Sequence, residues 1–540
     1  MKKLILIAII VLAFVLRFYH LDSYPVLNAD EAAIGYNAYS LIQTGKDEHG
    51  HAWPIHFQSF NDYKPGLYFY LVLPFVKILG LNELAVRLPS AILSVATVLI
   101  IYLLIKELFK KDNMALASAL FLAISPWHIH FSRGGWEVNT ATFFITTGIW
   151  LFIKSINSNF KRKYLILSVL AFVASLYTYH AARVIVPLLG IGLFVIYRKN
   201  LIKNLKPTLI AAAIGLILLI PLLIDFTKGG VLSRAAGVGL FADPGPRSRV
   251  EEQRGEHGNI TSILAKSLHN KAVNYSLAFF ENWGKHYWGE FLFLSGDEVQ
   301  RNKVPETGEM YLFDVILLPI GIILLIKGYK KERDGVIILW LVIAPVASAL
   351  TFQAPGALRA ENMVIPLTII SAVGLITIIE VISERKYRNV IFGILFLVIS
   401  WQFARYLHMY YVHMSKEYPY SSQYGVKELV NYVSQHEEKY KKILVTDRYD
   451  QPYILFLFYT KYDPAKFQSD HQLTPRDQFG FSTVNHFGRY YFTSIKFDEA
   501  KPDNSNSLIV GTNGEIPKEA NIVKDIYGTN GFLYFRVVAN

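Results

Sequence analysis

The stretch Val26-Leu27-Asn28-Ala29-Asp30-Glu31-Ala32-Ala33-Ile34-Gly35-Tyr36 sets two adjacent carboxylates just beyond a hydrophobic N-terminal segment, at the predicted start of a short amphipathic helix. Asn28 can cap that helix, and Glu31, three residues on, can bond back to the cap's amide. Asp30 then falls in the first turn, where the helix dipole favours a negative charge. Acids are common at helix starts, and a capping box accounts for Glu31 as well as chemistry would. Asp30 is less easily absorbed, because it stands where the chain leaves a membrane segment.

The membrane reading comes from composition. The chain has 540 residues, 52% hydrophobic and only 18% charged, with a mean hydropathy of +0.30. Soluble domains carry about a quarter charged residues. Repeated apolar runs of about 18 residues or more describe a polytopic membrane protein. The net charge of +12 is carried by Lys and Arg in short loops between these runs. That is the positive-inside pattern, and it argues against a nucleic-acid partner. The absence of cysteine excludes disulfides, thiolate catalysis and Cys-ligated zinc. Met1-Lys2-Lys3 precedes the apolar run Leu4 to Leu16, which passes into Arg17-Phe18-Tyr19-His20 without a small-x-small cleavage site. It reads as an uncleaved first span with its N-terminus in the cytoplasm.

Five basic loops set the expected topology: Lys106 to Asn113, Lys154 to Lys163, Arg198 to Lys206, Lys327 to Asp334, and Glu384 to Arg388. Placing all five inside gives spans near 88–109, 114–131, 138–154, 164–180, 183–197, 207–225, 311–328, 335–352, 362–381 and 390–409. With the first span that makes about eleven transmembrane helices. The run Leu67 to Leu79, interrupted by Pro74 and Lys77, is then expected to lie on the outer membrane surface. The external segments become 22–87, 132–137, 180–183, 226–310, 353–361 and everything after about 410. Asp30, Glu31, Lys64, Arg133, Glu137, His180, Arg183, Arg359 and Glu361 all fall on that face. Any one of them could be a snorkelling anchor. Their gathering on one side marks a shared polar site.

The chain thus divides into a membrane module, 1–415, with a first external loop at 22–87 and a long one at 226–310, and a small extracytoplasmic α/β domain, 416–540. The tail reads as a helix over Tyr424 to Glu437, a strand over Lys442 to Thr446 and a helix over Tyr453 to Tyr459. Strands follow at Tyr490 to Phe497, Leu508 to Val510 and Leu533 to Val538. No P-loop or dinucleotide fingerprint is present, and Gly511-Thr512-Asn513-Gly514 is a turn. Asp47-Glu48-His49-Gly50-His51 with His56 matches no helix-borne ligand spacing and reads as a polar loop. His128 and His130 are expected at the interface. The 226–310 loop, with Gly229-Gly230 and Asp243-Pro244-Gly245-Pro246, has the length of a lid or of a disordered connector. A transporter or flippase is the rival class, and a scaffold that binds polysaccharide without chemistry is a third. A transporter calls for broken helices, midplane polar residues and inverted repeats; here the spans are mostly apolar and no repeat is evident.

Four runs carry a resemblance: Ala29-Asp30-Glu31, Asp47-Glu48-His49-Gly50, Asp62-Tyr63-Lys64-Pro65-Gly66-Leu67-Tyr68 and Ala85-Val86-Arg87-Leu88-Pro89-Ser90. Together they resemble the first external loop of GT-C-fold glycosyltransferases. The closest group is glycosyltransferase family 39, with the protein O-mannosyltransferases and the lipid A aminoarabinose transferase. Ser132-Arg133-Gly134-Gly135-Trp136-Glu137 is similar to the family's second external acidic site, with Glu137 where some relatives carry Asp. Tyr177 to Arg183 and Phe291 to Asp297 also look like the family, so the resemblance covers about residues 1–365. It implies a transferase of the cell membrane that moves a sugar from a polyprenyl-phosphate donor to an extracytoplasmic protein, lipid or glycan, with inversion and without a nucleotide sugar. Asp30 would be the general base, with Glu31 and Glu137 as further catalytic carboxylates. Lys64, Arg133, Arg183 and Arg359 would hold the donor phosphate, and His180, Tyr63, His286 and Asp297 would contact substrate. No metal or other cofactor is indicated, and a divalent metal is left open.

Overall fold

The computed structural model describes the chain except for residues 228–236, 383–386, 420, 422, 478–480 and 504–505. Gly229-Gly230 and most of the Glu384 to Arg388 loop lie outside the described residues. The chain forms two compact units. One comprises residues 1–17, 93–132 and 137–407, and the other 18–92, 133–136 and 408–540.

Helices stand wherever the apolar runs predict a span. In chain order they begin with α1 (Lys2–Phe18), α2 (Ala29–Thr44), α3 (Leu67–Leu79), α4 (Glu83–Phe109) and α5 (Asp112–Ile124). Next come α6 (Pro126–Ser132), α7 (Glu137–Asn157), α8 (Arg162–Leu176), α9 (Ala182–Lys203) and α10 (Leu205–Phe226). The remaining span-like helices are Asp314–Lys327, Asp334–Ile343, Val364–Ile382 and Arg388–His408. Among the described residues, five helices are long and apolar enough to cross a membrane, or six if α5 and α6, bent by 56°, form one broken span. The expected eleven exceeds this for a physical reason. A straight crossing takes about 20 residues, whereas α8 has 15, Asp314–Lys327 has 14 and Asp334–Ile343 has 10. α7 is long enough at 21 residues but carries Glu137, Asn139, Thr140, Thr142 and Lys154.

In the first unit α7 packs along α8, where Ser168 Oγ donates to the Gly148 carbonyl at 2.7 Å. The Asp314–Lys327 helix lies so close to Val364–Ile382 that a Cβ on Gly374 would meet the Leu317 carbonyl oxygen at 2.2 Å. Arg17 is fully buried and ties α1 to its neighbours through Ser94 Oγ at 2.6 Å, the Ala123 carbonyl at 2.9 Å and His128 Nδ1 at 2.8 Å. His128 is therefore a core partner of an arginine, not an interfacial residue. His130, also buried, donates through Nε2 to the Arg301 carbonyl at 2.9 Å. The long loop is largely helical where it is described, with Gly245–Glu256, Ile263–Leu268 and Lys271–Lys285 in sequence.

The second unit contains a hairpin, β1 (His56–Ser59) with β2 (Asp62–Pro65), closed by Phe60 and Asn61 at φ values of 56° and 59°. Two left-handed residues in a two-residue loop match the right-handed twist of the strands. α3 follows as the expected 13-residue helix and buries Tyr68, Phe69, Val72 and Val76; it packs on α2. The C-terminal segment forms a six-stranded sheet of β3 (Lys442–Val445), β4 (His486–Phe487), β5 (Tyr490–Phe492), β6 (Ser507–Gly511), β7 (Ile522–Tyr527) and β8 (Leu533–Ala539). The order is β4-β5-β3-β6-β8-β7, with β3 parallel to β5 and β6 and every other pair antiparallel. Strands β4 and β7 escape the sequence reading, because β4 has two residues and β7 is an irregular edge strand. The Pro452–Thr460 helix buries every side chain from Pro452 to Phe458 and packs on α2. Its apolar surface all round needs partners on all sides. Residues 27–86 and the C-terminal sheet accordingly share one hydrophobic core.

Candidate active site

α2 begins as its sequence predicts. Asn28 Oδ1 accepts the Glu31 amide at 3.0 Å, and Glu31 Oε2 accepts the Asn28 amide at 3.2 Å. Glu31 does more than cap. Its carboxylate is buried and bidentate on Arg87, with Oε1 2.7 Å from Nε and Oε2 3.0 Å from Nη2. Oε1 also accepts the Gly135 amide at 2.8 Å. A Cβ on Gly135 would lie 2.9 Å from Val86 Cγ1 and 3.3 Å from Glu31 Cγ, so this approach requires glycine. Both oxygens of Glu31, expected as a catalytic carboxylate, are thus engaged by Arg87 and by the Asn28 and Gly135 amides. Arg87, whose role the sequence reading missed, left one signal: its place inside the run Ala85 to Ser90 that carries the family resemblance.

Asp30 is placed differently. Its side chain keeps 26% of its surface, and Oδ1 lies 2.5 Å from Nζ of the buried Lys64. Lys64 comes from β2, opposite Phe57, with Nζ 5.3 Å from the centre of the Phe60 ring. The structure thus brings Asp30 and Lys64 together. It does not bring Tyr63 to them, because successive residues of a strand face opposite ways. Arg133, expected at the donor phosphate, lies elsewhere in this unit's packing. It is fully buried, donates through Nη2 to the carbonyls of Tyr19 at 2.7 Å and Tyr24 at 3.0 Å, and donates through Nε to Tyr410 Oη at 3.2 Å. Its guanidinium lies 5.5 and 5.3 Å from the ring centres of Tyr410 and Tyr411. It braces backbone carbonyls and aromatic rings.

Next to this pair in sequence space, the Asp47 to His51 loop folds inward. Glu48 is fully buried and accepts from Asn37 Nδ2 at 3.1 Å. Burial pushes its acid up to about 8, against the Asn37 hydrogen bond and the Lys64 charge. His49, 2.8 Å from His471, is pushed down to about 3 by burial. An exposed glutamate ionises near 4.5, so between 4.5 and about 8 the unfolded chain releases a proton that folded Glu48 keeps. Glu48 therefore removes stability as pH rises through that window. Glu48→Gln should flatten this part of a Tm-against-pH curve. Parallel curves for the two proteins would show that Glu48 ionises in the fold.

The first unit holds the other candidates. Asp297 is buried, with Oδ1 accepting the Val299 amide at 2.7 Å and Oδ2 accepting Asn302 Nδ2 at 3.2 Å and the Ala357 amide at 2.7 Å. His286 is fully buried, donates from Nδ1 to the Asn282 carbonyl at 2.8 Å, and accepts the Gly356 amide on Nε2 at 3.3 Å. Burial pushes the His286 imidazole down to about 4, which keeps it a neutral acceptor. These two side chains, expected to contact substrate, hold the consecutive amides of Gly356 and Ala357. Both lie just ahead of Arg359, whose guanidinium donates to the carbonyl and to the side-chain oxygen of Gln353 at 3.4 Å each. Arg183 and His180 do come together, with Nη1 3.1 Å from Nδ1, while Arg183 Nε donates to the Leu176 carbonyl at 3.1 Å. Glu137 is buried in the first turn of α7. Among the described residues no three histidine or acidic side chains are grouped to hold a metal ion.

The family described as dolichyl-phosphate-mannose-protein mannosyltransferase matches residues 63–224. An uncharacterized protein of Aquifex aeolicus (strain VF5) is 32% identical over 175 residues, 32% of this chain and 33% of its own. The chain thus spans about a third of the curated relative it matches. ArnT from Cupriavidus metallidurans, solved with undecaprenyl phosphate, superposes with a TM-score of 0.55 over 99% of this chain and 97% of its own. The fold is GT-C. At 12% identity that likeness is one of architecture. AglB from Archaeoglobus fulgidus, solved with an inhibitory peptide and a dolichol-phosphate, shares it at a TM-score of 0.51 and 13% identity, over 85% of this chain and 63% of its own. In this GT-C chain the family match opens at Tyr63, next to Lys64, and takes in Arg87, Arg133, Glu137, His180 and Arg183.

Proposed function

We propose that the chain is a membrane glycosyltransferase that moves a hexosyl or pentosyl group from a polyprenyl-phosphate donor to an extracytoplasmic acceptor. The Asp30–Lys64 pair carries this reading: a partly exposed carboxylate is held 2.5 Å from a buried ammonium, at the edge of the family match. Asp30 takes the proton of the acceptor hydroxyl as its oxygen attacks the anomeric carbon. The carbon–phosphate oxygen bond breaks with inversion, and the electron pair leaves on the lipid phosphate. Lys64 stabilises that phosphate. A double-displacement glycosidase would need two carboxylates flanking the bond, and Glu31 is committed to Arg87.

The direct test is to incubate the purified protein with undecaprenyl-phosphate hexoses and pentoses and measure the released undecaprenyl phosphate. No release from any donor would overturn the reading. Lys64→Ala should lower kcat/KM for the donor by about 10²-fold, the loss expected for one fixed charge in a site of low dielectric. Full turnover by this variant would remove phosphate binding from its role.

The reading also takes all eleven span-like helices or broken pairs as crossings, with the bilayer thinned around the short ones, and puts 22–87 and the tail outside. Cysteine labelling in intact cells checks this, provided the sites are accessible. Glu48 and Glu137 are buried and Ser422 lies outside the described residues, so exposed His51 is the better external site. An impermeant maleimide should label His51→Cys and spare Asn159→Cys, whose residue is exposed on the opposite expected face. The reverse pattern would invert the orientation.

A further inference from the structure

The helix Lys271–Lys285 is built inside out. Its buried side chains are those of Asn274 and Asn282. Asn282 Nδ2 donates to the Thr351 carbonyl at 3.1 Å, and Asn274 Nδ2 donates to Gln253 Oε1 at 3.3 Å. At about 100° per residue, the opposite face carries Ala272, Val273, Ser276, Leu277, Phe280 and Trp283, with no charge among them. Leu277 and Phe280 keep 60% and 64% of their surface. The short helix before it, Ile263–Leu268, leaves Ile263, Leu264 and Leu268 exposed as well. A helix at a water boundary turns its apolar stripe inward and its polar side out, so this face is not made for water.

The neighbouring helix, Gly245–Glu256, obeys the ordinary rule. It buries Pro246 and Val250, packs on Lys271–Lys285, and leaves Arg247, Arg249, Glu251 and Glu252 exposed. One packed pair of helices thus shows a charged outer surface and an uncharged, apolar one. Farther along, Trp283 Nε1 donates to the Val342 carbonyl at 2.9 Å, and Tyr287 Oη donates to the Leu341 carbonyl at 2.8 Å. These carbonyls belong to the end of the Asp334–Ile343 helix that lies away from the basic Lys327 to Asp334 loop. Val342, and Leu350 and Phe352 on either side of Thr351, are themselves exposed. The apolar face therefore continues a surface that a span-like helix turns to lipid.

We infer that the apolar face of Ile263–Leu268 and Lys271–Lys285 lies in the polar–apolar interface of the bilayer, in contact with phospholipid. At 15 residues the second helix is too short to cross, and an amphipathic helix of this kind settles about 5–10 Å into the headgroup boundary. The charged face of Gly245–Glu256 then stays in water. Phospholipid is favoured over a protein partner because the face adjoins the exposed apolar flank of a span-like helix. The long loop is accordingly a strap seated in lipid, and not a lid free in water. On its inner side Asn282 holds the Thr351 carbonyl and His286 the Gly356 amide, so the bilayer steadies the backbone just ahead of Arg359. The inference goes beyond the transferase reading and requires only that the spans cross a bilayer.

The chain has no cysteine, so an introduced one carries a polarity-sensitive fluorophore to a single place. Full-length Ile263→Cys, Leu277→Cys and Phe280→Cys proteins are labelled and placed in phosphatidylcholine–phosphatidylglycerol nanodiscs, with Glu251→Cys as the water-side reference. The three apolar-face probes should emit to the blue of the reference and lose most of their emission to phospholipids with a nitroxide high on the acyl chain. A nitroxide at the chain end should quench them less, because the helix lies shallow. Glu251→Cys should keep its emission with both lipids. Red-shifted, unquenched emission from the three overturns the inference. Blue-shifted emission without quenching also overturns it, since protein would then cover the face. Quenching that added undecaprenyl phosphate abolishes assigns the face to the donor's chain, and overturns it too. If Leu277→Cys or Phe280→Cys melts below the wild type, Ile263→Cys, on a separate helix, decides alone. Absence of donor turnover in the same discs would overturn the transferase reading and leave the lipid contact standing.

Discussion

Asp30→Asn should lower kcat by about 10²- to 10⁴-fold while the protein stays folded and donor binding changes little, since this is what loss of a general base removes. The substitution keeps the size of the side chain and an oxygen for Lys64, which sits 2.5 Å away. It removes the basic lone pair and the charge. The variant therefore separates two roles that the geometry allows. If Asp30 served only to hold Lys64 in place, Asp30→Asn would weaken donor affinity and resemble Lys64→Ala. If Asp30 is the base, the defect lies in kcat, and Lys64→Ala differs by acting on donor use. Turnover, binding of a non-transferable donor and a thermal melt on the same preparations decide between them. A folded Asp30→Asn protein with near-normal kcat would remove Asp30 as the base, and Glu137→Gln would be the next variant to measure.

What could be read from the chain alone follows how far apart the interacting residues are. The capping box at Asn28 and Glu31 obeys a rule that spans three residues, and it is present as predicted. The helices under the apolar runs are equally local. The number that cross is less local, because short helices such as Asp334–Ile343 carry the right composition without the length. The hairpin that delivers Lys64 lacks the Asn-Gly signal of a tight turn; Phe60 and Asn61 adopt left-handed conformations that only the packed unit reveals. Burial of charge was least legible. Arg133 reads as a loop cation, yet its donors go to backbone carbonyls and a tyrosine. His286 and Asp297 are expected as substrate contacts, and in the fold they secure the Gly356 and Ala357 amides ahead of Arg359. A sequence shows that a polar residue is present at a membrane surface but not whether its partner is substrate or the chain's own backbone.

Glu31 and Arg87 show this most clearly, because they are 56 residues apart and both fully committed. Glu31→Ala would leave the Arg87 guanidinium buried with, among the described residues, only the Leu21 carbonyl, 3.0 Å from Nη1, to accept from it. It would also strand the amides of Asn28 and Gly135. Breaking a buried pair on one side costs about 3–5 kcal/mol, a large part of a typical total stability. Glu31→Ala should therefore lower the melting temperature sharply or abolish folded yield, and Arg87→Ala should do the same. The double variant Glu31→Leu/Arg87→Met removes both charges at similar volume and should recover most of what either single change loses. Whatever fraction of it folds should keep a kcat near that of the wild type, because Asp30 and Lys64 are untouched. The comparison is a denaturation series of the four proteins in detergent, with turnover normalised to folded protein. If Glu31→Ala melted like the wild type and lost turnover instead, the carboxylate would belong to the chemistry and the two acids of α2 would have to share it.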